Sequence, residues 1–464
     1  MLPPLRPAVA VALPAALASL ALPSTLGYDP WAWAVWGREL AHLDLSTTGG
    51  PSFKPLPVVV AAVASPAGGL MPEVWVVVVR AAGLLGVVLA YRVAARFGGA
   101  LGGAIAAVAV ALAASQARNG LQGYSEPLLI CLTLASVDMH LEGRRRWAFA
   151  FGALGSLVRP ELWVLLALYA AYLWSRDTAF RPVATGSLAA IPAVWIGLDW
   201  WGSGELLHGG SVARSTPPES AALTDRPAFT VLRRSAELVM LPALVGAVAA
   251  VVLALRRGVT VVALLGGAVA LWVGAVAVMA ELGFTGNIRY LAVPAGLLAV
   301  LGGIGAGWLV QSVQQGRARL LAAAAASILV LGFAFAPARS SGRWLSIARE
   351  QHEQLEELES ATDRAGGPGG VREAGRPAIN PSIQSALAWQ LDVPLSKVQA
   401  TWGPTPAHPH WSPPAIVFRA PPRFAGPPPA VDGRQVRPIA RAGRWEVFLA
   451  RGRLTRLRPQ PARG

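Results

Sequence analysis

The chain has 464 residues, of which 54% are hydrophobic and only 14% are charged, with 40 Lys and Arg against 25 Asp and Glu. This content is too apolar for an ordinary soluble enzyme. A net charge of +15 does not point to nucleic-acid binding here, because the arginines lie beside the apolar runs rather than in a soluble basic domain. The single cysteine, Cys131, excludes an intramolecular disulfide and a cysteine-based metal site.

Eleven apolar runs, most of them close to the roughly 20 residues that cross a bilayer, predict a mainly α, polytopic transmembrane helical bundle. They cover residues 7–26, 72–93, 100–114, 127–141, 147–158, 162–174, 183–200, 239–255, 259–279, 290–310 and 320–335. The first run predicts a retained helix rather than a cleaved signal peptide. The two runs between residues 147 and 174 are short, which is also typical of a re-entrant or tilted pair.

Arginines are concentrated in alternate loops between the predicted spans. With eleven spans, five basic loops share one side, which positive charge marks as cytoplasmic. They contain Arg92 and Arg96; Arg144 to Arg146; Arg176 and Arg181; Arg256 and Arg257; and Arg317 and Arg319. The sequence therefore predicts a multi-pass protein of the cell (plasma) membrane with a cytoplasmic N-terminus. Its outer loops would be residues 27–71, 115–126, 202–238 and 281–289.

Residues 338–464 differ in composition from the apolar module of residues 1–337. A charged helix pattern covers residues 342–364, and short strand patterns cover residues 415–418 and 445–449. Asn380 followed by Pro381 is a good start for a second helix, which would continue through Leu391. The sequence thus predicts a small C-terminal extracytoplasmic α/β domain after the membrane module.

The first outer loop contains Asp29, followed by Pro30 and a tryptophan-rich helix pattern over residues 31–40. One interpretation is that Asp29 caps a helix that lies in the headgroup layer. The other is that Asp29 is a general base, which takes a proton from an acceptor hydroxyl beside a lipid-borne donor.

A first transmembrane helix followed at once by an acidic outer loop and an interfacial helix resembles the GT-C class of integral-membrane glycosyltransferases. Residues 287–294, which include Arg289-Tyr290-Leu291 and end in Pro294, are similar to the Arg-Tyr-Leu-x-x-Pro start of a late helix in protein-mannosyltransferase-like members. Residues 50–57, with Lys54 between small residues and prolines, match the stretch before their second span. The segment 28–39 also resembles uncharacterised actinobacterial membrane proteins.

The resemblance, which extends to lipid A aminoarabinose transferases, implies a sugar transferase that uses a polyprenyl-phosphate sugar as donor. Asp29 would be the base, and single displacement would invert the anomeric carbon. The enzyme would be a hexosyl- or pentosyltransferase, and its acceptor outside the cell would be a cell-wall glycan, a glycolipid or a protein. Many relatives carry two adjacent acids in the first loop, whereas here the next acid after Asp29 is Glu39. No metal ligands are assigned, and a divalent-cation requirement is left open.

Three cations are predicted to bind the donor phosphate, since guanidinium and ammonium groups suit it. Arg289, with Tyr290 beside it, is the first, although an arginine there also suits interfacial snorkelling. Arg159 is the second, although an ion pair with Glu161 that closes a hairpin is nearly as good an explanation. Lys54 is the third.

Further polar residues are predicted to bind the substrate. Asn119, Tyr124 and Glu126 form a cluster at the outer end of the fourth predicted span, where Glu126 also suits a plain helix start. The remaining members of the predicted set are Glu39, Glu161 and Trp31.

A transporter or flippase of a lipid-linked or small polar substrate is the alternative hypothesis. Arg80 and Asp138 motivate it, because both are predicted inside the bilayer at comparable depth, where they would pair. The sequence contains no internal repeat of the kind that transporters show. A non-catalytic assembly factor with the same fold is a third hypothesis.

Overall fold

The computed structural model describes residues 5–113, 116–215, 219–400, 415–421 and 436–450. Its first helices are α1 (Leu5–Ala18), α2 (Tyr28–Ala41), α3 (Pro55–Ala64), α4 (Met71–Ala111), α5 (Gln116–Leu121), α6 (Glu126–Leu141), α7 (Arg145–Ser156), α8 (Leu162–Trp174) and α9 (Arg181–Ser203). They are followed by α10 (His208–Ala213), α11 (Pro227–Glu237), α12 (Leu241–Arg257), α13 (Thr260–Glu281), α14 (Ala292–Gln311), α15 (Arg317–Arg364), α16 (Gly367–Ala374) and α17 (Gln384–Gln390). The strands are β1 (Arg376–Ile379), β2 (Gln399–Ala400), β3 (Ala415–Arg419), β4 (Val436–Ala442) and β5 (Trp445–Ala450).

Helix α14 lies at the centre of the bundle, between α4 and α12, and is buried along most of its length. Glycines allow this contact. The carbonyl oxygens of Gly98 and Gly102 on α4 lie where Gly307 and Gly303 would carry a Cβ atom. On the other side of α14, the carbonyl oxygen of Gly246 occupies the corresponding position of Gly305. Backbones therefore touch without intervening side chains, which holds the three helices at a short and fixed separation.

Helix α4 contains a break at Gly99, where φ is +67°. Only glycine adopts this conformation at no steric cost, so the chain turns here while its hydrogen-bonded helices continue on both sides. The break falls between the predicted spans of residues 72–93 and 100–114, as the sequence pattern indicated.

Five helical segments in the described part of the chain are long and apolar enough to cross a membrane: Pro55–Ala111, Thr178–Ser203, Thr260–Glu281, Ile288–Gln311 and Arg317–Arg364. A sixth results if α11 and α12, bent by 102°, count as one span. Helices α6, α7 and α8 have 16, 12 and 13 residues, which is short for an untilted span. The count of eleven spans stays a prediction.

The predicted pair of Arg80 and Asp138 is wrong. Asp138 accepts from Arg92 Nε at 3.0 Å and from Arg96 Nη2 at 2.9 Å, and so joins α6 to α4. Arg80 instead donates to the backbone oxygen of Ser19 at 2.6 Å. Equal depth along two helices does not fix their rotation, which decides the partners of a buried charge. The observation that motivated a transporter is therefore absent.

Helix α15 continues without interruption from the last apolar segment through Pro337 to Arg364, so the predicted boundary at residues 337 and 338 falls inside one helix. After it comes a five-stranded sheet in the order β2-β1-β3-β5-β4. Strands β2, β1 and β3 are parallel, with Ala378 opposite Gln399 and Val417, and β5 runs antiparallel to β3 and β4. Asn380 caps the turn before α17 through Ser382 N, as predicted.

The sheet region packs on α2. Tyr28 Oη donates to Gln384 Oε1 at 3.0 Å, and Ser385 Oγ donates to the Tyr28 carbonyl at 2.7 Å. Farther along α2, Arg38 forms an ion pair of 2.8 Å with Asp392. Helix α2 is therefore fixed between the helical bundle and the C-terminal sheet.

We expect Gly305→Ala to lower the free energy of unfolding by about 1–3 kcal/mol, because the new methyl group would overlap the α12 backbone. Gly274→Ala, in the helix interior of α13 with open space around its Cα, is the matched control and should cost nothing. Thermal unfolding in detergent measures both. Equal melting temperatures for the two variants would contradict the backbone contact.

Candidate functional site

A cavity of about 1290 Å³ lies at one end of the bundle, where the sheet region meets it. Its walls are the start of α2, the loop of residues 49–54, the turn of residues 158–161, the facing ends of α8 and α9, α10 and the segment before α14. The C-terminal region adds Arg376, Gln384 and residues 398–400. The cavity is thus built by segments that are far apart in the sequence.

Asp29 lies in the first turn of α2, which begins after Gly27. No side chain caps this helix, so the interpretation of Asp29 as an N-cap is wrong. Its Oδ2 atom instead lies 2.8 Å from Arg289 Nη1, on the segment that leads into α14. This nitrogen makes no well-directed hydrogen bond within the described residues. The contact is an ion pair that leaves donor capacity on the guanidinium.

Arg159 forms a second ion pair behind the first. Its Nη2 donates to Glu126 Oε1 at 2.9 Å, and its Nη1 lies 3.6 Å from Glu161 Oε1. Its guanidinium also stacks over the Tyr290 ring at 4.4 Å. Arg159 is 4% exposed and Glu126 fully buried. Such charges are tolerated away from water only as a balanced set.

Lys54 completes the group of cations. Its Nζ lies 3.3 Å from Ser125 Oγ and 4.9 Å from the centre of the Trp33 ring, and among the described residues no carboxylate oxygen lies within 4.0 Å of it. Burial and the neighbouring Arg159 lower the pKa of Lys54 to about 7. An anion placed beside Lys54 would therefore stabilise the charged form of its ammonium group.

Five of the predicted site residues meet at this cavity beside Asp29: Lys54, Arg159, Glu161, Arg289 and Tyr290. The three cations lie among the carboxylates of Asp29, Glu126 and Glu161, and both arginines have a nitrogen without a hydrogen-bond partner among the described residues, which suits a phosphate group.

The other predicted substrate residues lie away from the cavity wall. Glu126 is buried behind the arginines, and Tyr124 lies under the Arg289 guanidinium at 4.5 Å. Asn119 is 1% exposed. Glu39 accepts from Ser46 N at 2.9 Å, and burial raises its pKa to about 7. Trp31 packs on a tryptophan of α17. These five residues surround or support the cavity rather than line it.

Sequence reasoning missed several residues that line the cavity. Asp199, near the end of α9, accepts from Thr47 Oγ1 and from Gly209 N, each at 2.7 Å. It also lies 3.2 Å from His208 Nδ1, and this hydrogen bond raises the pKa of His208. A carboxylate inside an apolar run was a usable signal for Asp199. Nothing in the sequence indicated Arg376, because most of the other segments that line the cavity lie far from it in the chain.

No group of three or more His, Cys, Asp or Glu side chains in the described ranges is arranged to hold a metal ion.

Solved structures share this fold. ArnT from Cupriavidus metallidurans in the apo state matches with a TM-score of 0.60 at 17% identity, and ArnT bound to undecaprenyl phosphate matches with 0.56 at 16%. Each match covers 96% of this chain and 97% of that one. The Archaeoglobus fulgidus oligosaccharyltransferase matches with a TM-score of 0.46 at 12% identity, over 83% of this chain and 61% of its own.

The fold is that of the GT-C class. It extends over nearly the whole chain, including the sheet, and the chain is an integral membrane protein. No protein-family model and no curated protein sequence matches this chain. The resemblance read from three short sequence motifs is thus confirmed at the level of the fold.

We expect Glu126→Ala to lower the free energy of unfolding by about 3–5 kcal/mol, because it leaves the buried Arg159 without its closest carboxylate. Glu237→Ala, which breaks the exposed pair with Arg233, is the control and should cost about 0–1 kcal/mol. Chemical or thermal unfolding in detergent separates the two. Similar losses would show that the Arg159 pair is not a structural necessity.

Proposed function

We propose that the protein is a membrane glycosyltransferase that transfers a sugar from a polyprenyl-phosphate sugar to an acceptor hydroxyl. The observation that carries the proposal is the position of Asp29 in the cavity, held by Arg289 and flanked by Lys54 and Arg159. The shared fold with ArnT, one structure of which contains undecaprenyl phosphate, supports a lipid-borne phosphate as ligand.

The donor phosphate would bind among Arg289, Arg159 and Lys54. Arg159 Nε lacks a hydrogen-bond partner among the described residues, so a phosphate gains a bond there without the loss of an existing one. At Arg289 Nη1 the phosphate would instead compete with the ion pair to Asp29. Tyr290, stacked under Arg159, would hold that guanidinium in place. Together these cations would stabilise the charge that develops on the phosphate as it leaves.

Asp29 would act as the general base. The phosphate competes with it for Arg289, so donor binding frees the carboxylate to accept a proton. The acceptor oxygen would lose its proton to Asp29 and form the new bond at the anomeric carbon. The bond from that carbon to the phosphate oxygen breaks, and the phosphate keeps the electron pair. A single displacement of this kind inverts the anomeric centre.

The finer features belong to the same proposal. The sugar is a hexose or pentose, and the acceptor is a cell-wall glycan, a glycolipid or a protein on the outer side of an actinobacterial-type plasma membrane. The eleven-span topology puts the N-terminus in the cytoplasm. The C-terminal region after the apolar part of α15 would be an outer α/β domain, and its contribution of Arg376 and Gln384 to the cavity suits contact with the acceptor.

We expect Asp29→Asn to reduce release of polyprenyl phosphate from a polyprenyl-phosphate sugar by about 10²–10⁴-fold, with donor binding retained, because the base is lost while the cations remain. Asp44→Asn, an exposed aspartate in the same loop, is the matched control. Purified protein in nanodiscs and a panel of such donors measure turnover. Full activity of Asp29→Asn would remove the base assignment. Donor efflux from vesicles without bond cleavage would favour the transporter hypothesis.

We expect donor affinity to fall as pH rises through about 7, because Lys54 loses its charge above its lowered pKa. The bound phosphodiester favours the charged ammonium and so raises its pKa, which means that the fall would begin near the lower pKa of the free protein and end near the higher pKa of the complex. In Lys54→Arg the cation stays charged, and the affinity should be flat between about pH 6 and 9. Calorimetric titration with a polyprenyl-phosphate sugar, whose phosphodiester does not titrate in this range, gives both curves. Parallel curves would exclude Lys54 from the donor site.

A further inference from the structure

Helices α7 and α8 form an antiparallel hairpin with two different ends. Its closed end, residues 157–161, contributes to the wall of the charged cavity. Farther from the turn Gly152 lies against Leu166, and farther still the Arg145 guanidinium lies over the Tyr172 ring. The start of α7 and the end of α8 therefore meet at an open end, which is opposite to the cavity.

This open end carries an excess of positive charge. Five arginines, which we call the arginine patch, are concentrated there: Arg144, Arg145, Arg146, Arg176 and Arg181. The nearby acids are already engaged, because Asp177 binds Arg146, and Asp138 and Glu142 at the end of α6 bind arginines of α4. Within the described ranges, the other four members of the patch have no carboxylate oxygen within 4.0 Å. The patch is thus a surface that an anion would neutralise.

Aromatic rings hold these arginines in place, since every member of the patch lies over one. Arg145 and Arg176 share the Tyr172 ring, at 5.9 and 4.8 Å from its centre. That ring is itself supported by Tyr169, which stacks on it with the centres 5.7 Å apart, and by the edge of His140. A guanidinium that stacks on a ring keeps its N–H donors at the rim of the plane available. Two such groups around one supported ring lower the entropy cost of holding a phosphate.

The surroundings of the patch are those of a membrane surface. Helix α8 is apolar along its whole length, and Val164 and Leu168 are exposed on its outer side. Two tryptophans beside the patch, Trp147 and Trp174, are 57% and 46% exposed. Exposed tryptophans at the ends of apolar helices are typical of the headgroup layer. The phosphates at this level of a bilayer belong to the lipids themselves.

We propose that the arginine patch binds the headgroup phosphate of an anionic phospholipid, with Arg145 and Arg176 as its principal contacts. A guanidinium suits phosphate because its paired donors match two phosphate oxygens. A zwitterionic headgroup adds an ammonium group that the patch repels, so the surface favours lipids with net negative charge. The bound headgroup would join the start of α7 to the end of α8, and so hold the hairpin that carries Arg159 at its other end. The proposal is independent of the sugar-transfer reaction.

The test compares two double variants with the same change in charge. Arg145→Gln with Arg176→Gln removes the principal contacts. Arg256→Gln with Arg257→Gln, two exposed arginines in the last turn of α12, is the matched control. Native mass spectrometry of the full chain in detergent measures the binding of added phosphatidylglycerol and phosphatidylcholine. We expect phosphatidylglycerol to bind the patch variant roughly 10- to 30-fold more weakly than the wild type, since one arginine near an anionic surface contributes about a fivefold change. The control should stay within about twofold of the wild type, because its arginines lie outside the site.

Three results would overturn the assignment. Equal losses in the two double variants would show that net charge alone attracts the lipid. Equal affinities of the wild type for phosphatidylglycerol and phosphatidylcholine would remove the preference for an anionic headgroup. Displacement of the lipid by an equal concentration of inorganic phosphate would indicate a site for free anions instead. Melting temperatures without added lipid check the fold, and if the double variant is unfolded, the two single variants, each expected to bind about fivefold more weakly, replace it.

Discussion

The contact between Asp29 and Arg289 is the interaction on which the rest of the site depends. It joins the first turn of α2 to the segment before α14, and these segments are distant in sequence. Neither side chain would be stable as an isolated charge in this largely buried position, because the free-energy cost of desolvation would exceed the free energy gained from packing. The same rule extends to Arg159, Glu126 and Glu161 behind it. Each carboxylate in the group lies where it compensates a cation.

Such a balanced group requires helices whose positions do not drift. The glycines of α4, α12 and α14 supply this rigidity, since backbone atoms in direct contact have no rotamers to exchange. Arg289 lies directly before α14, the most buried of these helices, so the rigid position of α14 also fixes the backbone of Arg289. In contrast, α8 and α9 contact each other through larger side chains such as Trp163 and Trp195, and a small hollow lined mostly by alanines lies between them. The bundle therefore combines a rigid centre, which orients charges, with a looser side that faces lipid.

The sequence was informative where a charged residue lies beside an apolar run. Asp29, Lys54, Arg159 and Arg289 stood out as charges beside apolar runs, and the structure brings all four together. Partners were harder to predict. Asp138 binds Arg92 and Arg96 because of helix rotation, which periodicity over a uniformly apolar surface does not define.

Long-range packing was outside the reach of pattern reading altogether. The contacts of α17 with α2 and the cavity wall supplied by Arg376 depend on the arrangement of the sheet. A one-residue difference in strand register would present other side chains. The strands of residues 415–418 and 445–449 were nevertheless predictable, because their alternation is local.

The hydrogen bond from Ser385 to the Tyr28 carbonyl joins residues that are 357 positions apart. A ribosome that adds about 5–20 residues per second makes the second partner roughly tens of seconds after the first. During that time Trp31 lacks its partner on α17, whereas Trp33 and Trp36 can already pack on Trp75 and Phe53. The cavity consequently acquires its last wall at the end of synthesis. A nascent or truncated chain can insert its helices in the membrane, but it lacks the wall that Arg376, Gln384 and residues 398–400 add to the cavity.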